Sequence, residues 1–150
     1  MKDSKPTVTL LTKLEQANGS VMHGMKKTES TYKGFGEAYF STVSCGKWKG
    51  WKLHKEMTLN LVVPQGDVRF VVHDTDGILR SKEIIPLLDL VIGESNYSRI
   101  TVPPGLWLAF QGVGLGKNLL LNIADIEHDP KEAINRSFDF FKIKSLNTST

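Results

Sequence analysis

The sequence predicts an all-β protein, a sandwich or barrel of antiparallel strands with little helix. Short apolar runs recur along the chain and are broken by Gly, Pro, Asn or Asp, the pattern of strands joined by tight turns. Helix signals are few. The length, 150 residues, is that of one domain with enough chain to bury a core, so 1–150 is expected to fold as a single unit with loose ends at 1–5 and 147–150.

The elements follow in order. Thr7–Leu14 is a β-rich run, and Asn18-Gly19 is a turn pair. Glu37–Val43 reads as a strand turned at Ser44-Cys45-Gly46, and Lys47–His54 as the next. Met57–Val63 stops at Pro64-Gln65-Gly66-Asp67; Val68–His73 alternates Val68, Phe70 and Val72 against Arg69, Val71 and His73. Ile84–Ile92 is interrupted by Pro86, so it is at most a short turn or a strand. Ser98–Val102 ends at Pro103-Pro104-Gly105, and Leu106–Gln111 at a glycine-rich stretch. Asn118–Ile126 and Phe138–Ile143 complete the strands, with a short helical entry at Asp129-Pro130-Lys131-Glu132 between them.

Composition narrows the functional classes. Apolar residues are 40% and charged residues 23%, with mean hydropathy −0.19, which excludes a disordered chain. No run reaches the ~18–20 apolar residues of a membrane span, and the polar start shows no secretory signal. The one cysteine, Cys45, can form no internal disulfide and cannot anchor a cysteine zinc site. A cytoplasmic location is expected. Residues 1–57 hold ten lysines against five acids, whereas the remainder is net negative, so the first half suits an anionic ligand.

Two segments attract chemistry. Gly112-Val113-Gly114-Leu115-Gly116-Lys117 matches neither the dinucleotide nor the P-loop spacing and precedes a strand, so it is read as a turn. Lys47–Lys55 interleaves lysines with Trp48 and Trp51, as single-strand nucleic-acid binders do. Strict alternation splits that set: Trp48, Lys52 and His54 share one face, and Lys47, Lys49, Trp51 and Leu53 the other. A divided basic patch argues against nucleic acid. It leaves Lys52 and His54 side by side, either on an exposed face or directed into a barrel. His73 can point to solvent, to a partner or into a pocket; His23 and His128 lie beside turn residues and read as surface groups.

Lys52-x-His54, Leu59 and Gly66, with Pro103-Pro104-Gly105-Leu106-Trp107-Leu108, fall at the spacing of the two cupin motifs, and the chain resembles that superfamily of jelly-roll barrels. Within it, Gly36-Glu37-Ala38-Tyr39-Phe40-Ser41, Lys49-Gly50-Trp51, Ile100–Gly105, Asn122-Ile123-Ala124-Asp125 and His128-Asp129-Pro130 resemble the dTDP-4-dehydrorhamnose 3,5-epimerases. The resemblance runs from about Gly19 to about Pro130. It implies a cupin jelly roll, a homodimer formed by lending an edge strand such as Thr7–Leu14, and a nucleotide-sugar ligand without a cofactor. The cupin metal positions hold Lys52, Leu59 and Leu108 beside His54, so no metal is expected. The family's base and acid positions are matched here by Lys52 and Asn122, and its supporting histidine by Leu108.

Two functions follow as expectations. The first is a metal-independent epimerase-like enzyme removing a proton beside the keto group of a 4-keto-6-deoxy nucleotide sugar. Lys52, His54 and Asn122 are its candidate catalytic residues; Lys49, Tyr39, Trp48 and His73 are candidates for binding substrate. Burial and neighbouring cations would tune Lys52 into a base; otherwise Lys52 anchors an anion and His54 is the base. The second is a cupin that binds a sugar or nucleotide sugar without turning it over.

Overall fold

The computed structural model describes residues 5–74 and 85–146, so the expected tails (apart from Lys5) and Ile84 lie outside the described residues. Two five-stranded antiparallel sheets face each other. In chain order the strands are β1 (Thr7–Leu10), β2 (Lys13–Gln16), β3 (Gly19–Met22), β4 (Glu37–Thr42), β5 (Trp48–His54) and β6 (Leu59–Gln65). They continue with β7 (Asp67–His73), β8 (Leu88–Gly93), β9 (Ser98–Val102), β10 (Trp107–Gly112), β11 (Leu119–Ala124) and β12 (Ala133–Asn135). One sheet has the order β1-β9-β6-β11-β4 and the other β12-β5-β10-β7-β8, while β2 and β3 form a separate hairpin. This is the expected all-β jelly roll.

The alternation in β7 decides which side is which. Val68, Phe70 and Val72 turn inward and join Leu59, Leu61 and Ile100 from the opposite sheet in one core. Arg69, Val71 and His73 turn outward, where Trp51, Leu53, Trp107 and Phe141 form a second apolar cluster. The β6–β7 reversal needs Gly66: its φ is +76°, and a Cβ there would lie 2.3 Å from Asn118 Oδ1.

Three expectations change. Thr7–Leu14 is two strands, and β1 pairs with β9 of its own chain rather than standing free for exchange. Phe138–Ile143 is no strand: a 3-10 turn at Phe138–Phe140 leads into irregular chain whose rings pack on the outer face. The short strand β12 follows a 3-10 turn at Pro130–Glu132 and pairs with β5. The glycine-rich stretch links β10 to β11, with a strand after it as expected.

On the outer face of the first sheet, Arg99 pins the segment before β4. It is wholly buried; its guanidinium donates to the carbonyl of Gly24 (2.6 Å), to Thr31 Oγ1 (2.9 Å) and to the Glu29 carboxylate. Tyr97 Oη donates to the His23 carbonyl at 2.7 Å and Asn60 Nδ2 to that of Thr31 at 3.3 Å. The segment from 23 to 36 is therefore fastened at several points along its length.

Candidate active site

A cavity of about 520 Å³ lies between the two sheets. Its floor is apolar, made by Leu59, Leu61, Leu108, Phe110 and Leu120; two of these leucines occupy cupin metal-ligand positions. Polar groups converge above it: Lys49, Lys52 and His54 from β5, Tyr39 and Ser41 from β4, and Asn122 from β11. A concave apolar site with a few converging polar groups suits a small-molecule ligand.

Lys49 belongs to this set because β5 is not regular. Trp107 pairs with Leu53 and Leu108 with Lys52, but Ala109 then pairs with Gly50, so β5 holds one extra residue. Such a bulge reverses the faces on one side of it. Lys49 therefore lies opposite the inward Phe110 and shares the cavity with Lys52 and His54, whereas Trp48 lies opposite Gln111. The face expected for Trp48 and that expected for Lys49 are exchanged. Gly50 permits the bulge, with φ at +129° and the Ala109 backbone so close that a Cβ would sit 2.8 Å from it.

His54 has a carboxylate partner that its neighbour lacks. Its Nδ1 bonds Glu132 Oε1 in a buried contact, and Glu132 Oε2 accepts from the amides of Glu56 (3.1 Å) and Met57 (3.3 Å). A carboxylate on Nδ1–H fixes the tautomer, so Nε2 carries the free lone pair. Among the described residues Lys52 forms no ion pair. Glu132 was not read as a functional residue in the sequence. It lies 78 positions from His54, within the three-residue 3-10 turn that follows Asp129-Pro130.

Asn122 and Tyr39 are opposite each other in the β11–β4 register. Asn122 Oδ1 accepts from the Asn60 amide at 3.1 Å, which fixes the orientation of its carboxamide. Its Nδ2 then donates to Tyr39 Oη at 2.9 Å. The hydroxyl proton of Tyr39 is thus left to donate elsewhere.

Comparison of the sequence with protein-family models and with curated proteins gives no match. Solved structures do match. A dTDP sugar isomerase from Desulfovibrio desulfuricans G20 superposes with TM-score 0.80 at 27% identity, over 93% of this chain and 89% of that one. The dTDP-4-dehydrorhamnose 3,5-epimerase from Sulfolobus tokodaii gives TM-score 0.71 at 18% identity, over 89% and 78% of the two chains. A sugar 3,4-ketoisomerase from Thermoanaerobacterium thermosaccharolyticum, solved with TDP, gives 0.68 at 17% identity over 91% and 90%. The chain shares the cupin jelly-roll fold of these dTDP-sugar isomerases and epimerases.

Two of the expected binding residues stand apart in this cupin. Trp48 borders the cavity, but its ring packs on Phe138 (5.0 Å between centroids) beneath the Arg69 guanidinium on the outer face. His73 is 2% exposed and lies on the far side of the sheet, stacked on Phe141 at 4.3 Å and beside Trp51 at 5.5 Å. It faces neither solvent nor the cavity; the C-terminal segment covers it. His128 is exposed as expected and His23 partly so.

The buried groups give the cupin an acid-side pH dependence. Burial pushes His73 below its ordinary 6.5, against the pull of Asp74 and Asp89. An unfolded chain therefore takes up that proton first, and stability falls as pH drops below about 6.5. Burial acts to raise Glu132, but the His54 hydrogen bond, the Glu56 amide, the His54 charge and the Met57 amide together hold it below its ordinary 4.5. Glu29 is likewise held down, its burial outweighed by Arg99 and the Lys26 amide. Those contributions are complete above about 4.5 and vanish as pH falls through the lower folded values. Urea midpoints should accordingly decline in two stages on acidification, and His73→Phe should flatten the first while leaving the second.

Proposed function

We propose that the cavity binds a nucleoside-diphosphate 4-keto-6-deoxy sugar and moves a proton on the carbon beside the keto group. The observation that carries this is the His54–Glu132 pair: Glu132 occupies Nδ1 and leaves Nε2 as the free ring nitrogen of a histidine that lines the cavity. Nε2 takes the proton; the C–H electron pair forms the enolate double bond, and the carbonyl π pair moves onto oxygen. The Lys52 ammonium, two residues from His54 on the same face, meets that oxyanion charge. Tyr39, held by Asn122, supplies a proton from another wall, as inversion at carbon requires, and is recharged from solvent. Lys49, at the β4 edge with Nζ on the Thr42 carbonyl at 2.7 Å, anchors the diphosphate. His54 thus takes the base role that the sequence offered to Lys52, and Asn122 holds Tyr39 rather than donating the proton itself. No metal enters this scheme, since an ammonium and two leucines stand at three of the cupin ligand positions and cannot bind one.

The solved ketoisomerase that holds TDP and the dTDP-sugar isomerase support the ligand class. Incubation with such sugars in D2O should place deuterium beside the keto group. Lys52→Met is expected to lower that exchange at saturation by about 10²-fold with dTDP affinity little changed. Affinity lost with exchange retained would make Lys52 an anchor instead. Asn122, a carboxamide at the position of the family's acid, favours the second reading of binding without turnover; calorimetric dTDP binding with no deuterium uptake from any such sugar would select it.

A homodimer in the cytoplasm is part of the same reading. β1 and β4 are the two edges of the first sheet, and β4 is the more apolar candidate: Phe40 is 64% exposed on it, and Leu14 and Val21 are half-exposed on the β2–β3 hairpin. Light scattering should give about twice the 16.7 kDa chain mass, and Phe40→Glu should return a monomer. A wild-type monomer at micromolar concentration would contradict the dimer.

A further inference from the structure

The extra residue that swings Lys49 into the cavity is Trp51, and Trp51 is fastened from behind. Its side chain is fully buried in the outer-face cluster with Leu53, Trp107 and Phe141, although the residue also borders the cavity. Its amide donates to the Arg136 carbonyl (3.1 Å) and its carbonyl accepts from the Arg136 amide (2.9 Å). The indole Nε1 donates to the Phe138 carbonyl at 2.9 Å, and the ring meets Phe141 edge-on at 4.7 Å. Phe141 in turn stacks on His73. Bulges leave the extra residue out of the ladder, so something else must satisfy and hold it. Here residues 136–141 do both.

We propose that Trp51 is a positioning residue: docked against the segment Arg136–Phe141, it holds the β5 bulge and thereby sets Lys49 on the cavity face for the ligand's diphosphate. This rests on the reading of the cavity as a nucleotide-sugar site and adds what delivers the anion-binding group to it. A regular β5 would carry Lys49 to the outer face, where Trp48 now lies, because a one-residue slip exchanges the faces. Lys52 and His54 lie beyond the bulge, paired to Leu108 and Ala133, so their placement does not depend on it. The inference therefore separates binding from chemistry: loosening Trp51 weakens the grip on the diphosphate and spares proton exchange at saturation.

The test is a double-mutant cycle on dTDP affinity, with Trp51→Phe, Lys49→Met and their combination, using calorimetry on the full chain. Trp51→Phe keeps a ring and deletes the indole donor; it is expected to weaken dTDP about five- to tenfold, in line with one lost hydrogen bond. In the Lys49→Met background the same change should have no further effect, since Trp51 acts through Lys49. Phe141→Leu, which leaves β5 itself intact, should behave like Trp51→Phe. Lysine acylation by an N-hydroxysuccinimide ester, read peptide by peptide, gives a check without ligand. Lys49 should label several-fold faster in both variants as it leaves Thr42, and Lys52 at the wild-type rate. Losses that add in the cycle, or wild-type affinity and labelling in both variants, would overturn the proposal. No dTDP binding by the wild-type protein, with the Lys49 labelling change still seen in both variants, would instead overturn the nucleotide-sugar reading, leaving Trp51 in control of Lys49.

Discussion

Replacing His54 with Asn is expected to lower deuterium uptake into a 4-keto-6-deoxy nucleotide sugar by about 10²–10⁴-fold, the range a positioned general base supplies. The expected cause is loss of Nε2, the ring nitrogen that Glu132 leaves free. Asn nearly fills the space and can still bond Glu132, so affinity for dTDP should stay within a few-fold. Glu132→Gln probes the same pair from the other side. An amide in place of the carboxylate offers an N–H as readily as an oxygen, so the tautomer with the proton on Nε2 is no longer excluded. Exchange should fall while the fold survives, although Oε2 also serves the Glu56 and Met57 amides and some stability will be lost. Full exchange in both variants would remove His54 from the chemistry and point back to Lys52.

Arg99→Met is expected to destabilise the protein by about 3 kcal/mol, the low end for breaking a buried ion pair because Glu29 keeps some contact with water. Three acceptors lose their donor together: the Gly24 carbonyl, Thr31 Oγ1 and the Glu29 carboxylate. Arg99 Nε is itself buried without a partner, so the side chain is already an expensive one to hold in place. Urea unfolding gives the magnitude, and limited proteolysis gives the location. Cleavage should appear first between 23 and 36, the segment that Arg99, Tyr97 and Asn60 fasten. A variant as stable as wild type, with no new cleavage there, would show that the other contacts suffice.

Most strands were legible because each is a short apolar run closed by Gly, Pro, Asn or Asp, and β4, β5, β7 and β9 fall within about a residue of where those signals put them. The strand β12 was not, because three residues carry no periodicity and Ala133–Asn135 is a strand only by pairing with β5. Phe138–Ile143 has the composition of a strand, yet with no neighbouring edge its rings serve as a cover for Trp51, Trp107 and His73. In the site, alternation put Lys52 and His54 on one face but left open whether that face was exposed or turned inward. It misplaced Lys49 and Trp48, because alternation fails across one extra residue; a glycine inside a strand, Gly50, was the available sign. Glu132 left no sign at all: its meeting with His54 depends on how β12 and the turn before it dock on β5.

The leucines beneath Lys52 and His54 decide how far a charge is felt in the cavity. Water and dissolved ions screen a lysine at the rim within about 8 Å at physiological ionic strength, but they have little access to a group seated on hydrocarbon. Lys49 is exposed and Lys52 half-buried above Leu59 and Leu108. Added salt therefore acts unequally on the two ammonium groups. It weakens the long-range attraction that brings a diphosphate to the mouth, while the field of Lys52 on an enolate oxygen, passing through a poorly polarisable floor, persists. In kinetic terms the ionic strength of the medium enters through KM and leaves kcat nearly untouched.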